Sequence, residues 1–429
     1  MKKVKYLIFL IFGLLGIITM TSCNIGLRLI TSEDDTGDIS DDEDDLGTDD
    51  SNEDTGDGTD NSEDSDDNTF TGDNTDESED ALDNNGAPDD TNTEDNTGES
   101  EDTTHGFVTY DHTGEELPYK FEYDSETTEF NIYYKDGTLL DDYLVYSSTD
   151  MYDEFATLDN KEDMQIAYLN ALAKSLVFSL YDYDAPAYNS KYYTAFNVKM
   201  STSEYNITSD ECVTIWVAIE SDHPQLYWIE NTYLQSYSYV SFFTNANYDT
   251  YEERSVANQT VIDSVSDISN SITTTSEYRR IKKVYDYVIQ NTEYAYLSDG
   301  KTASSELDAH SIMGFFNGGN VVCEGYAKVL QIIYNYMGIA NHYVRGYVGN
   351  DSSTNYHAFN YVCYNNKWYF CDSTNDDDGS LTYEFFLAGS DTMNSYSVHP
   401  FTGELATFGY TYQYTLPELS ASDYSKSIL

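Results

Sequence analysis

From Ser32 to Thr104 the chain carries 32 acidic residues and no lysine or arginine, in a background of Thr, Asn, Ser and Gly. A stretch with so little apolar surface cannot offset the entropy of ordering it, and its like charges push it further open. Any core must therefore come from residues 105 to 429. These hold 46 acidic and 16 basic residues, a net charge of −30, yet they are rich in Tyr, Phe, Ile and Val. That supports one large core or two smaller ones, and the length suggests two domains. The acidic sign argues against nucleic acid or anionic surfaces as partners. No Asp-x-Asp-x-Asp-Gly loop closed by Glu occurs in the acidic stretch, so a disordered spacer is expected rather than a calcium site.

The N-terminus reads as an export signal. Lys2, Lys3 and Lys5 precede an apolar run from Tyr6 to Ile18, and Thr19-Met-Thr-Ser-Cys23 comes next. The run is short for a membrane-spanning helix, and small residues stand just ahead of a cysteine. The pattern resembles a bacterial lipoprotein signal, which implies a lipid on Cys23 and a mature protein held at the outer face of the membrane. Four cysteines remain: Cys212, Cys323, Cys363 and Cys371. With Cys323 set apart they are an odd number, so Cys212, Cys363 and Cys371 are expected to be free, mostly buried thiols.

The chemistry centres on Asn317-Gly-Gly-Asn-Val-Val-Cys323-Glu-Gly-Tyr-Ala327. Gly318 and Gly319 allow a loop, and Tyr326, Val329, Leu330, Ile333 and Met337 then recur at helical spacing until Gly338. Cys323 is expected at the helix start, where unpaired N–H groups and the helix dipole favour a thiolate. The alternative is an ordinary buried cysteine. Two strands come after it, Tyr356–Tyr364 and Lys367–Asp372, around the two-residue turn Asn365-Asn366. That turn pairs Tyr364 with Lys367, Cys363 with Trp368 and Tyr361 with Phe370. It puts His357 on the face of Asp372 at diagonal distance, and Cys363 and Cys371 on opposite faces. The shared face of Phe359, Tyr361, Cys363, Trp368 and Phe370 is expected to pack on the Cys323 helix. Thiolate, imidazole and carboxylate together supply nucleophile, base and orienter, with the Cys323 N–H as an oxyanion donor.

Elsewhere, Tyr119–Tyr123 and Phe130–Tyr134 alternate as a small antiparallel sheet, and helices are predicted over about 161–181 and 209–220. Extended segments are predicted at 192–200, at 227–229 and from Tyr233 to Phe243. A long helix is predicted from about Ser255, with a break near Thr273–Thr275 before Glu277–Gln290, and a short one over His310–Phe316. His310 reads as a packing or capping residue, and Glu324 as a complement to the helix N-terminus. Asp376-Asp-Asp-Gly379 reads as a solvated acidic turn. His223, His342 and His399 stand without metal-ligand partners at recognisable spacing, and no cofactor or metal is expected.

Val322-Cys323-Glu-Gly-Tyr-Ala327, then Tyr356-His357-Ala-Phe-Asn360, then Lys367-Trp-Tyr-Phe-Cys-Asp372-Ser-Thr resemble the transglutaminase-like superfamily, over about residues 210 to 400. The resemblance extends to His310-Ser-Ile-Met-Gly314 and Asp222-His-Pro-Gln-Leu-Tyr-Trp228. Phe359 and Asn375 stand where that family usually has Trp. The resemblance implies an α+β fold with a papain-like transglutaminase core, Cys at a helix N-terminus and His and Asp on an antiparallel sheet. It places the catalytic triad on Cys323, His357 and Asp372. The expected organisation is a signal at 1–23, an acidic stalk at 24–104, a smaller α+β domain at 105–250, the catalytic domain at 251–400 and a tail at 401–429. The expected activity is attack on an amide of a protein or peptide, such as a cell-wall or host surface protein, through a Cys323 thioester passed to water or an amine. The alternative is a noncatalytic surface binding or adhesion module with a vestigial triad.

Overall fold

The computed structural model describes residues 28–31, 119–124, 129–134, 160–180, 182–188, 192–350, 355–377, 381–401 and 416–424. The expected signal peptide, the lipid-bearing Cys23 and the acidic run lie outside them. In chain order the strands and helices begin with β1 (Arg28–Thr31), β2 (Tyr119–Asp124), β3 (Glu129–Tyr134), α1 (Lys161–Leu180), β4 (Tyr193–Ser201) and α2 (Thr202–Tyr205). Then come α3 (Ser209–Asp222), β5 (Ile229–Gln235), β6 (Tyr239–Thr244), α4 (Tyr251–Ser271) and α5 (Glu277–Gln290). A 3-10 turn at Leu307–His310 leads into α6 (Ile312–Phe316) and α7 (Cys323–Tyr336). The chain continues through β7 (Asn341–Val348), β8 (Tyr356–Tyr364), β9 (Lys367–Cys371), α8 (Ser390–Ser395) and β10 (Val398–Pro400). The result is a mixed helix and largely antiparallel sheet architecture, as the α+β reading expects. Among the described residues no helix is long and apolar enough to cross a membrane.

Among the described residues three sheets form, ordered β1-β5-β6-β4, β10-β7-β8-β9 and β2-β3. The first contains an unexpected member. Residues 28–31, counted with the stalk, run parallel to β5 with Arg28 opposite Thr232. Leu29 and Ile30 precede the acidic run, so this short piece retains strand-forming residues.

Local chemistry explains the helix boundaries. Thr208 and Glu211 make a reciprocal capping box at α3, and Thr250 and Glu253 repeat it at α4. One buried cluster runs from Met164 on α1 to Leu387, and joins α1, α3, α4, α5 and α7. Arg254 is buried inside it and donates to the carbonyls of Phe178, Tyr248, Asp249 and Tyr183. Its cation is thus solvated by backbone dipoles, as a buried charge requires.

Residues 416–424, within the expected tail, pack on the fold. Leu419 bridges Trp368, Ser420 N–H donates to the Trp368 carbonyl at 2.8 Å, and Gly389 N–H donates to Asp423 Oδ1 at 2.8 Å. Tyr424 packs on Tyr278 and Tyr364. This segment covers the edge of β9, which would otherwise present unpaired backbone groups.

Candidate active site

Cys323 is the first residue of α7 and is buried. Val322 gives the helix no side-chain cap, so the first-turn N–H groups find other partners. The half-buried Tyr294 is one: its hydroxyl accepts from the Cys323 N–H. Tyr294 belongs to an extended segment bridged in parallel to Val321, and it packs beside Cys323 with Ala295, Ala303, Tyr343 and Ala358. Gly318 adopts φ +75° in the approach loop. Gly325 lets the first helical turn press on the 3-10 turn, since a Cβ there would lie 2.7 Å from the Ala309 carbonyl oxygen.

Cys212, Cys363 and Cys371 are free, as expected. Burial pushes Cys212 up to about 12 and raises Cys363 and Cys371 as well.

The β8–β9 hairpin has the register set by its turn: Tyr364 opposite Lys367, Cys363 opposite Trp368, Tyr361 opposite Phe370. Asn365 and Asn366 both take positive φ, 52° and 56°, the geometry of a two-residue turn matched to strand twist. The register brings His357 to Asp372, and Nε2 of the ring meets Oδ2 at 2.6 Å with both residues buried. A carboxylate accepts, so Nε2 carries the proton and Nδ1 is left as the second ring nitrogen.

One expectation about this hairpin is overturned. Phe359, Tyr361, Phe370 and Trp368 do not face α7; they pack with Phe385, Ala388, Met393 and Val398. The opposite face meets α7, where Asn360 Nδ2 donates to the Ala327 carbonyl at 3.0 Å and Ala358 joins the Cys323 cluster. Strand β8 is buried on both faces, so its apolar pattern did not discriminate between them.

Behind Cys323 lies a buried ionic chain that the sequence alone did not reveal. His310 Nδ1 meets Glu324 Oε2 at 3.0 Å and its Nε2 meets the Ser304 carbonyl at 2.9 Å. Lys328 Nζ stands 2.8 Å from Glu324 and 2.6 Å from Glu220, and Arg345 donates to the other Glu220 oxygen. Burial alone would raise Glu324, but Lys328 and His310 outweigh it and hold the carboxyl down at about 2. Glu324, read from the sequence as a complement to the helix N-terminus, also pairs with Lys328 one turn along the helix. Glu220 comes from α3, 108 positions before Lys328.

Asp376 is also unlike its expected solvated turn. It is fully buried and accepts from Tyr285 Oη at 2.5 Å, Thr382 Oγ1 at 2.6 Å and the Glu384 N–H at 2.8 Å. It is a structural hub, and desolvation raises its pKa. His342 lies against Trp368, His399 against Tyr347, and His223 against Tyr168. Among the described residues no group of His, Cys, Asp and Glu is arranged to hold a metal.

The chain is similar to known proteins over part of its length. The sequence profile of the transglutaminase-like superfamily matches residues 266–373, which span α5, α7, β7, β8 and β9. A solved TGase is 18% identical over 34% of this chain and 44% of its own, with a TM-score of 0.27. A candidate cysteine protease from Cytophaga hutchinsonii is 19% identical over 27% of this chain and 38% of its own, with a TM-score of 0.22. The chain thus spans less than half the length of either structure. No curated protein matches. Over residues 266–373, this chain is similar to the transglutaminase-like superfamily.

Proposed function

We propose that this chain is a cysteine enzyme acting on amide bonds of proteins or peptides, with Cys323 as nucleophile, His357 as base and Asp372 as orienter. The observation that carries the reading is the 2.6 Å hydrogen bond from His357 Nε2 to buried Asp372, on a hairpin packed against the helix that Cys323 begins. Asp372 fixes the proton on Nε2 and so leaves Nδ1 to serve the thiol. The helix start and the imidazole favour the Cys323 thiolate. Attack of Sγ on the amide carbon forms the C–S bond. The oxyanion faces the Cys323 N–H, the C–N bond breaks, and the imidazolium gives its proton to the leaving amine. Water or a second amine then attacks the thioester, His357 takes its proton, and Cys323 is released. Water makes the enzyme a peptidase or amidase, and an amine makes it an acyl transferase.

The export signal gives this activity its setting. A lipid on Cys23 would place the enzyme on the outer face of a bacterial membrane, with surface or cell-wall proteins as substrates.

Mass spectrometry of the reduced protein after iodoacetamide treatment near pH 6 tests the reading. Cys323 is expected to label ahead of Cys212, Cys363 and Cys371, whose thiols burial holds protonated. His357→Ala and Asp372→Ala are expected to slow it, and amide substrates are then screened with water and with amines. Labelling of Cys323 no faster than the other three, or unaffected by both substitutions, would leave the binding-module alternative in its place.

A further inference from the structure

Asn375 follows Asp372 by three residues in the turn after β9. Its backbone N–H donates to Asp372 Oδ1 at 3.1 Å, and its side-chain Nδ2 donates to Oδ2 at 2.6 Å. His357 Nε2 donates to the same Oδ2 at 2.6 Å, and the two nitrogens stand 3.4 Å apart around it. With its proton given to Asp372, Nε2 has no lone pair for Asn375, so the 3.4 Å approach is that of two donors sharing one acceptor. The amide orientation follows from charge, because the reverse orientation would press two oxygens together. One residue therefore holds both oxygens of the carboxylate and competes with the imidazole for one of them.

Resting on the cysteine-enzyme reading, we propose that Asn375 is a positioning residue of this site. It fixes the rotation of the Asp372 carboxylate so that Oδ2 meets His357 Nε2. By sharing Oδ2, it also weakens the carboxylate's hold on the imidazolium. Hydrogen bonds to a carboxylate stabilise its charge and draw density from its other partners. The ring therefore releases its proton to the leaving amine more readily than an unshared aspartate would allow.

The surroundings make Asn375 a clean lever. Ionisable groups near enough to interact electrostatically with Asp372 include Tyr285 from α5, Tyr294 from the segment beside Val321 and Cys371 from β9. Burial raises the pKa of all three, so they stay neutral at working pH. Asp376 is engaged by Tyr285, Thr382 and Phe385. Asn375 is itself uncharged, so replacing it by leucine, similar in size and without donors, leaves the net charge unchanged.

The test titrates the His357 ring by NMR in the reduced full chain, with resonances assigned by their absence in His357→Ala. Wild type, Asn375→Leu and Asn375→Ser are compared, and Cys323 alkylation by iodoacetamide is followed in the same samples. Asn375→Leu is expected to move the His357 midpoint upward by about tenfold in proton affinity, the effect of losing one charge-assisted hydrogen bond. Asn375→Ser, which keeps a shorter donor, should move it less in the same direction. An unmoved midpoint in Asn375→Leu, with activity lost only through stability, overturns the proposal. If the leucine variant does not fold, the sign of the serine shift decides. Should His357→Ala alkylate as fast as wild type, the cysteine-enzyme reading falls and this inference with it, a result separate from an unmoved midpoint.

Discussion

Replacing Glu220 by alanine tests whether the ionic chain behind Cys323 holds the site together. Glu220 is 4% exposed, accepts from Lys328 Nζ at 2.6 Å and is the carboxylate that Lys328 shares with Arg345. Truncation leaves two buried cations with one nearby carboxylate, Glu324, which stands 2.8 Å from Lys328. Removing one partner of such a pair costs about 3–5 kcal/mol, because the remaining charge stays desolvated. At about 2–4 °C per kcal/mol for domains of this order of size, Tm should fall by roughly 10 °C. The assay is urea unfolding at pH 7, read as a shift in midpoint at constant slope. Replacing all three groups together, Glu220→Leu with Lys328→Met and Arg345→Met, should recover most of the loss, because no charge is then left unpaired. Glu324 adds a pH signature. Its folded pKa, about 2, lies below its unfolded value. Its contribution is therefore present above about 4.3 and is lost as pH falls through about 2. A Glu220→Ala loss under about 1 kcal/mol, or no decline in stability between pH 4.5 and 2 beyond that of Glu324→Gln, would refute the argument.

Two further outcomes bear on the site. Tyr294 Oη sits at the Cys323 N–H, so it is placed to donate to the oxygen that displaces it. Tyr294→Phe should lower amide-cleaving kcat about 10- to 100-fold, and an unchanged or raised kcat would mark the hydroxyl as a mere occupant of the pocket. Gly325→Ala puts a Cβ 2.5 Å from Val321 Cβ and 2.7 Å from the Ala309 carbonyl oxygen. It should cost about 1–3 kcal/mol by thermal melting and slow Cys323 alkylation; wild-type values for both would show that the helix start is free to shift.

What the sequence made legible was local. Asn365-Asn366 set the hairpin register, and the register set the meeting of His357 with Asp372. Helical spacing after Gly319 located the start of α7 at Cys323. Where the reading failed, the deciding contacts were long-range. Strand β8 is apolar on both faces, so the side presented to α7 depended on residues 385–398, which cover the other side. Glu220 and Arg345 meet across 125 positions, and neither has a local signal. Asp376 looked solvated because it stands in an acidic run, yet Tyr285 from a distant helix and the Phe385 N–H bury it. Tyr294 was one tyrosine among 42 until the bridge to Val321 set it beside Cys323.

The parallel pairing of Arg28–Thr31 with β5 bears on how far the proposed enzyme would stand from a lipid on Cys23. A spacer sets a distance only if it lies between the two points it separates. The acidic run begins after β1 and ends before β2, so folded strands flank it on both sides. With Cys23 lipid-modified, as proposed, only Asn24 to Leu27 join the anchor to the first strand. Fully extended, the step from Cys23 to Arg28 spans no more than about 18 Å, less than the width of a bilayer. The catalytic core would then work close to the lipid headgroups, and lengthening or shortening the acidic run would leave its height above the membrane unchanged.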